Sequence, residues 1–339
     1  MLQNRVVKRA LQAVFTVYVV VSLTFGLIRL MPGGPMDFLR ARLMRTRGGG
    51  MTTQQINALV ETYLNVHPDR PLWKQYVNYM VSMAQGDMGK SLWYNKPVAD
   101  IIGHALPWTM FLMSTSILFT FMIGVTLGAF MAYNEGGWLD TTSTFVAVFL
   151  NSVPYYVAAI LFVYVLGYQL SVFPTSGRMT AGTTPGMNWP FLAGAIQHAA
   201  LPVASLVLTG FGFQALSMRG NSIRILGEDY LRVARLRGVP SDRIALRYVG
   251  RNAILPMYTG VLIAIGFMFG GSVILERIFN YPGLGYYLFK AIQASDYPLM
   301  MGDFILITIA VVVGVFVADM TYGLVDPRAD TGGEGGDVY

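Results

Sequence analysis

Six apolar runs, each long enough to cross a bilayer, leave this chain few folds to choose from. They cover Leu11–Met31, Trp108–Tyr133, Ser143–Leu170, Ala199–Ser217, Ile254–Leu275 and Met300–Leu324. A helix needs about 20 predominantly apolar residues to cross the hydrocarbon core, whereas a strand needs only about 10. Inside that core every backbone polar group must be satisfied within the protein, which leaves helices or closed barrels. Runs of this length therefore predict an all-α polytopic membrane protein with six transmembrane helices. Charge agrees: 12% of the residues are charged, against about 25% in a soluble domain.

The first run follows a basic start (Arg5, Lys8, Arg9) and is longer than the apolar core of a signal peptide. It reads as a retained span. Asn151 and Pro154 interrupt the third run and Pro202 sits in the fourth. Neighbouring helices can re-satisfy the carbonyls that proline frees, so both prolines are expected to mark kinks.

Between the fourth and fifth runs lies the one long, strongly charged interval of the second half, 218–256. It holds Arg219, Arg224, Arg232, Arg235, Arg237, Arg243, Arg247 and Arg251 against Glu228, Asp229 and Asp242. Placing arginine at a bilayer centre costs roughly 2.5–3.5 kcal/mol each on the insertion scale, so eight cannot be buried in lipid. This interval, the basic N-terminus and Arg328 should share the cytosolic side, which puts both termini there. The intervening region 32–107 then lies outside, and loops beyond about 60 residues are exempt from the charge rule.

In the arginine interval, Ile223, Leu226, Tyr230 and Val233 recur as one helical stripe, with Arg224, Glu228, Arg232 and Arg235 on another face. Glu228 precedes Arg232 by four residues, a supporting pair. Gly238 with Pro240 just beyond is a helix stop. Ser241 or Asp242 is expected to cap a second helix, in which Arg243, Arg247 and Arg251 form a basic stripe. A charge run is often only a solvated face. Here, though, two helices with apolar stripes need a partner, and such helices dock in grooves of other proteins.

The outer region should hold two amphipathic helices. One spans 52–67 with Ile56, Leu59, Val60 and Tyr63 on one face; the other spans 71–84 with Trp73, Tyr76, Val77, Met80 and Val81 clustered. Gly48–Gly50 is a break between elements. Two further outer loops are expected, 173–198 and 277–298. The tail 326–339 is Gly-rich and acidic and is expected to lack fixed structure. Residues 84–91 (AQGDMGKS) fit a relaxed phosphate-binding pattern. A working loop of that kind follows a strand and opens a helix, and the preceding residues here read as helical. The chain is therefore expected to bind no nucleotide of its own.

The remaining chemistry is sparse. There are no cysteines and three separated histidines, His67, His104 and His198, so neither disulfides nor a protein metal site is expected. Arg29, Glu276, Asp303 and Asp319 lie near span ends, where solvation accounts for them. No acid falls at a span's midplane, where an ion-coupled carrier places one. Gly266, Gly270 and Gly271 fit close helix packing or an unwound turn. The alternatives are a secondary carrier, which would work alone on an ion gradient, and a membrane enzyme, which would need a polar cluster within the spans.

Asp229-Tyr230-Leu231-Arg232-Val233-Ala234-Arg235, Gly238 and then Arg251-Asn252-Ala253-Ile254-Leu255-Pro256 resemble the coupling loop of ABC importer permeases. The 18 residues from Gly238 to Pro256 are the longer form of the dipeptide/oligopeptide family. Ile28-Arg29-Leu30-Met31-Pro32-Gly33, the 86–91 segment, Pro97-Val98 and Pro107–Thr109 resemble the first half of its B-type subunit. Gly271-Ser272-Val273-Ile274-Leu275-Glu276, Phe279, Pro282-Gly283-Leu284-Gly285, Asp296-Tyr297-Pro298 and Asp326-Pro327-Arg328 resemble the second half. Gly34 departs from the aspartate frequent there.

The resemblance implies a type I ABC importer permease of the cell membrane, itself non-catalytic and without a bound cofactor, carrying di- or oligopeptides. Oligosaccharides or a chelated metal are the alternative cargo. It implies a homologous second permease, two ATP-binding cassette subunits that use ATP and Mg, and an extracytoplasmic solute-binding protein. The lipid bilayer is the other partner, and nucleic acid is none. The implied division is 1–31 (start and first span), 32–107 (outer helical region), 108–325 (core permease domain) and 326–339 (tail). ATPase coupling falls to Glu228, Asp229, Tyr230, Arg232, Ala234, Arg235, Gly238 and Arg243. The translocation path falls to Gly270, Gly271, Glu276 and Asp303, and binding-protein docking to Asp87, Lys90, Phe279 and Asp296.

Overall fold

The computed structural model describes residues 2–30, 32, 34–46, 52–66, 70–240 and 243–325. Gly48–Gly50, His67, Ser241, Asp242 and the tail with Arg328 lie outside the described residues. The helices gather into two compact units. The first comprises Met1–Thr109, Phe269–Val273 and Pro282–Phe316; the second comprises Met110–Met268, Ile274–Tyr281 and Val317–Tyr339.

The first unit opens with α1 (Leu2–Leu30), followed by α2 (Pro35–Thr46), α3 (Thr53–Leu64) and α4 (Leu72–Ala84). α3 starts where its sequence says it should. The Thr52 side chain accepts from the Gln55 backbone N–H, and the Gln55 side chain reaches back to the Thr52 N–H. Ile56, Val60 and Leu64, spaced by four, are buried in one core with Val21, Phe25 and Ile28 of α1 and Tyr79 of α4. Asn65 ends the helix in the left-handed conformation at φ 53°.

α5 (Val98–Tyr133) passes through Pro107 without a break and so begins ten residues before the expected span start at Trp108. α12 (Leu284–Ala294) and α13 (Tyr297–Val325) follow later in the chain. Val98, Ile101, Ile102 and Ala105 of α5 bury against Leu284 and Ala291 of α12 and Leu299 of α13.

The second unit is built on α8 (Trp189–Leu226), which continues through Pro202. α6 (Trp138–Asn151) lies against it so closely that a Cβ at Gly212 would collide with the Ala147 carbonyl. On α5, Gly124 and Gly128 approach Gln214, Ala215 and Met218 of α8 in the same way. Small residues four apart let helix backbones meet where no hydrophobic driving force operates in lipid.

Pro154 does more than kink a span. α6 ends at Asn151, α7 (Tyr155–Phe162) starts beyond Pro154, and the two axes differ by 90°. The proline has no N–H and disfavours helix in the residue before it, so one helix ends and another begins. α7 runs on as a π-helical segment, Val163–Gln169. Among the described residues, five helices are long and apolar enough to cross a membrane, and six if this bent pair is one broken span.

Candidate functional site

The arginine interval divides differently from its periodicity. α8 runs to Leu226 and thus contains Arg219 and Arg224. The chain breaks at Gly227, and a separate short helix α9 (Asp229–Leu236) follows, with Glu228 as its N-terminal cap residue in extended conformation. The expected Glu228–Arg232 helical pair is absent because Glu228 stands outside the helix. Asp229 occupies the first turn and Arg235 the last, each at the end where the helix dipole favours its charge.

The helix stop reads as expected. Gly238 has φ +72°, Val239 N–H donates to the Ala234 carbonyl at 3.1 Å, and Gly238 N–H donates to Arg235 at 3.0 Å. These two bonds form the Schellman closure that a left-handed glycine permits. Arg243 opens the next helical stretch. A π-helical segment, Ile244–Gly250, then leads straight into α10 (Arg251–Phe267). The second helix of the loop is therefore the foot of the next span, and Arg243, Arg247 and Arg251 are exposed along it.

α9 has two apolar faces. Leu231 and Ala234 are buried, packed with Met218 and Ile225 of α8, Ile244 and Val249 of the π segment, and Ala253 and Met257 of α10. Tyr230, Val233 and Leu236 point outward, 42%, 47% and 82% exposed. Ala234, placed by sequence on the docking surface, is instead part of the root. The inward stripe is Leu231–Ala234, not Tyr230–Val233. Glu228, Asp229, Arg232, Arg235, Gly238 and Arg243 are exposed around the outward face. Asn252 Nδ2 donates to the Tyr230 hydroxyl at 3.3 Å, and Asn221 Nδ2 to the Ala253 carbonyl at 3.2 Å. The first bond ties α9 to α10 and the second ties α8 to α10, and the Leu231–Ala234 packing roots the short helix against both spans while it presents a row of apolar and basic side chains.

A feature missed by sequence reasoning anchors the base of α8. Arg219 Nε donates to Asp140 Oδ1 at 2.5 Å and its Nη2 to Oδ2 at 2.7 Å. The Gly136 N–H adds a third bond to Oδ2 at 3.0 Å. Arg219 therefore is not one of a row of solvated arginines. Two residues 79 positions apart carry no local signal of pairing.

Two of the acids expected to be solvated at span ends, Glu276 and Asp303, are not. Glu276, on α11 (Val273–Ile278), and Asp303 are fully buried. Each keeps polar company within its surroundings. Beside Glu276, burial foremost and then the Glu276 charge push the Tyr281 phenol above its ordinary value, with Arg178 opposing. Asp319 lies in α13. Gly270 closes a 3₁₀ turn, Met268–Gly270, and Gly271 has φ +60°. A Cβ at Gly270 would have room, so this pair marks an unwound turn rather than tight packing.

Two residues expected to dock an external protein are internal. Phe279 is buried, and the fully buried Asp296 carboxylate accepts from Ser91 Oγ (2.5 Å), Leu92 N–H (3.1 Å) and Trp93 N–H (3.0 Å). A side chain enclosed in this way cannot touch a partner; Asp296 fixes the loop after Lys90 instead. Burial above all, then Tyr287, Tyr286 and Asp296, push the nearby Tyr94 hydroxyl up to about 12. Asp87 is exposed and Lys90 half-buried. The phosphate-loop look-alike follows helix α4 rather than a strand, and its Ser91 hydroxyl is committed to Asp296.

Residues 124–331 match the family model described as binding-protein-dependent transport system inner membrane component. The chain belongs to this family. Such inner membrane components are permeases, the non-catalytic membrane subunits of ABC transporters. The chain is 31% identical over 324 residues to the glutathione transport system permease protein GsiC of Escherichia coli, covering 96% of this chain and 98% of that one. It is 32% identical over 308 residues to a provisionally named peptide permease protein of Brucella suis biovar 1, covering 90% and 92%. An inward-facing structure of the MetNI methionine ABC transporter superposes with a TM-score of 0.53 at 15% identity. It covers 67% of this chain and 96% of that one, and at that identity it speaks for the fold alone.

Proposed function

We propose that this inner membrane component forms half of the translocation path of an ATP-driven peptide importer, with α9 as the element that couples it to the ATPases. The observation that carries the reading is the two-faced α9. Its Leu231–Ala234 root is packed between α8 and α10, and its Tyr230–Val233–Leu236 row and arginines point outward. A rigid helix rooted in two spans transmits displacement to both, so a partner gripping the outward row can switch the spans between two arrangements. The partners are a homologous second permease, two ATP-binding cassette subunits that use ATP and Mg, and an extracytoplasmic solute-binding protein. The bent α6–α7 pair crosses as one broken span. That gives six crossings, a cytosolic arginine segment and both termini on that side. Gly270–Gly271 supply the unwound point on the path, and exposed Asp87 with Lys90 face the binding protein.

Peptide cargo rests on the names of the two relatives, since glutathione is itself a short peptide. Mass spectrometry of the ligand retained by the binding protein of the purified complex should find peptides; a retained oligosaccharide or metal chelate would refute that part. For coupling, the variants are Gly238→Pro, which cannot adopt the left-handed conformation, and Arg232→Glu with Arg235→Glu, which reverses the outward charge. Both should leave membrane insertion intact and abolish solute-stimulated ATP hydrolysis and uptake in the reconstituted complex. Normal stimulated hydrolysis in either variant would remove α9 from the docking role.

A further inference from the structure

Helix α4 has three faces where a helix packed on the outside of a protein has two. Gln75 and Tyr79 are buried, and Tyr76, Met80 and Met83 pack on the core that holds Val21, Phe25 and Ile28 of α1. The Phe25 ring lies 5.4 Å from Tyr76 and 5.6 Å from Tyr79. The Tyr76 and Ser22 hydroxyls are 2.7 Å apart. A second face carries Trp73, Val77 and Val81, 64%, 49% and 49% exposed. A third carries Lys74, Asn78 and Ser82. At about 100° per residue, the exposed apolar row and the polar row are centred about 100° apart, with the buried face on the other side of the apolar row.

Depth decides what covers the second face. Ser22 lies eight residues before the end of α1, about 12 Å along its axis at 1.5 Å per residue, within the apolar stretch Val7–Leu30. A side chain that bonds there reaches membrane depth. α1 leaves Leu23, Leu27 and Leu30 more than half exposed, the surface that an inner membrane protein turns to lipid. The row on α4, a helix packed on α1 through Tyr76 and Tyr79, is a second exposed apolar surface. At the start of α4 the Lys74 ammonium sits over the Trp73 ring, 5.4 Å from its centroid. An indole with a snorkelling cation is the combination found at headgroup level.

We propose that α4 is an interfacial membrane helix. Trp73, Val77 and Val81 are sunk among the lipid chains of the leaflet at the C-terminal end of α1, and Lys74, Asn78 and Ser82 are turned to headgroups and water. The occupant of the exposed face is lipid, not a protein partner, so part of the region between the first two spans belongs to the membrane rather than to the aqueous exterior.

The chain has no cysteine, so nitroxide labels can be placed singly at Val77→Cys, Val81→Cys and Asn78→Cys. The assembled complex in phosphatidylethanolamine/phosphatidylglycerol nanodiscs is then probed by collision with oxygen, which enters hydrocarbon, and with a nickel chelate, which stays in water. Labels at 77 and 81 should favour oxygen several-fold and the label at 78 the nickel chelate. If all three favour the chelate, α4 lies in water. If 77 and 81 are shielded from both probes, or become so when the binding protein is added, a protein covers the face. Either result overturns the proposal. As an independent arm, Trp73→Phe should remove part of the tryptophan quenching caused by brominated lipid; unchanged quenching also overturns it. Neither arm depends on ATPase coupling, so failure here leaves the role of α9 standing.

Discussion

Replacing Asp140 by Asn removes one charge from a bidentate pair and leaves the other in place. The carboxylate is 4% exposed and the guanidinium 29%, so the pair is shielded from water on one side only. At an effective dielectric of 20, unit charges 4 Å apart attract by about 4 kcal/mol, and desolvation of the carboxylate cancels a good part of that. Removing one partner of a fully buried pair costs about 3–5 kcal/mol. Water reaching Arg219 lowers the expectation here to about 2–3 kcal/mol. Asn keeps one acceptor but turns an NH₂ group toward the guanidinium or toward the Gly136 N–H, so the loss exceeds that of one neutral hydrogen bond, about 1 kcal/mol. The assay is reversible unfolding of the purified subunit in mixed micelles, arranged as a double-mutant cycle of Asp140→Asn with Arg219→Gln. A coupling energy of about 1.5 kcal/mol or more is expected for groups in direct contact. A value below about 0.5 kcal/mol would show that the α6–α8 base is held by helix packing alone and refute the clamp.

Gly89→Ala should destabilise by about 3 kcal/mol, because φ is +80° and the new Cβ would meet the Tyr63 carbonyl; thermal denaturation of the purified protein measures it. Gly212→Val should cost at least about 2 kcal/mol by forcing α8 off the Ala147 backbone, read by the same melt. Asp296→Asn should raise proteolysis of the 91–97 loop, which it holds through Ser91, Leu92 and Trp93. Ser91→Ala, losing one bond, should give a smaller rise, and equal cleavage of wild type and both variants would contradict the clamp.

Length and hydropathy made the spanning helices legible, because a run of about 20 apolar residues has one good solution in lipid. The break at Pro154 was legible as a position but not as a 90° turn, since proline permits a kink as readily as a stop. Within the loop, Gly238 and Pro240 announced their helix end because few residues adopt φ +72°. The division at Gly227 was hidden by a stripe that counts cleanly from Ile223 to Val233. α9 carries Tyr230, Leu231, Val233, Ala234 and Leu236 in eight residues, enough apolar side chains for two faces. Only its packing reveals which face is the root. Glu276, Asp296 and Asp303 looked like surface acids because sequence position near a span end says nothing about what folds over it. Asp140 and Arg219 meet only through the α6–α8 packing.

The central claim is that the outward row of α9 is gripped by an ATPase subunit, and site-specific cross-linking addresses it most directly. In the cysteine-free chain, Leu236→Cys and Val233→Cys should cross-link to the ATP-binding cassette subunit of the assembled importer with a short bifunctional reagent. Leu231→Cys, at the buried root, should not. No cross-link from 233 or 236 in a complex that hydrolyses ATP normally would contradict the assignment.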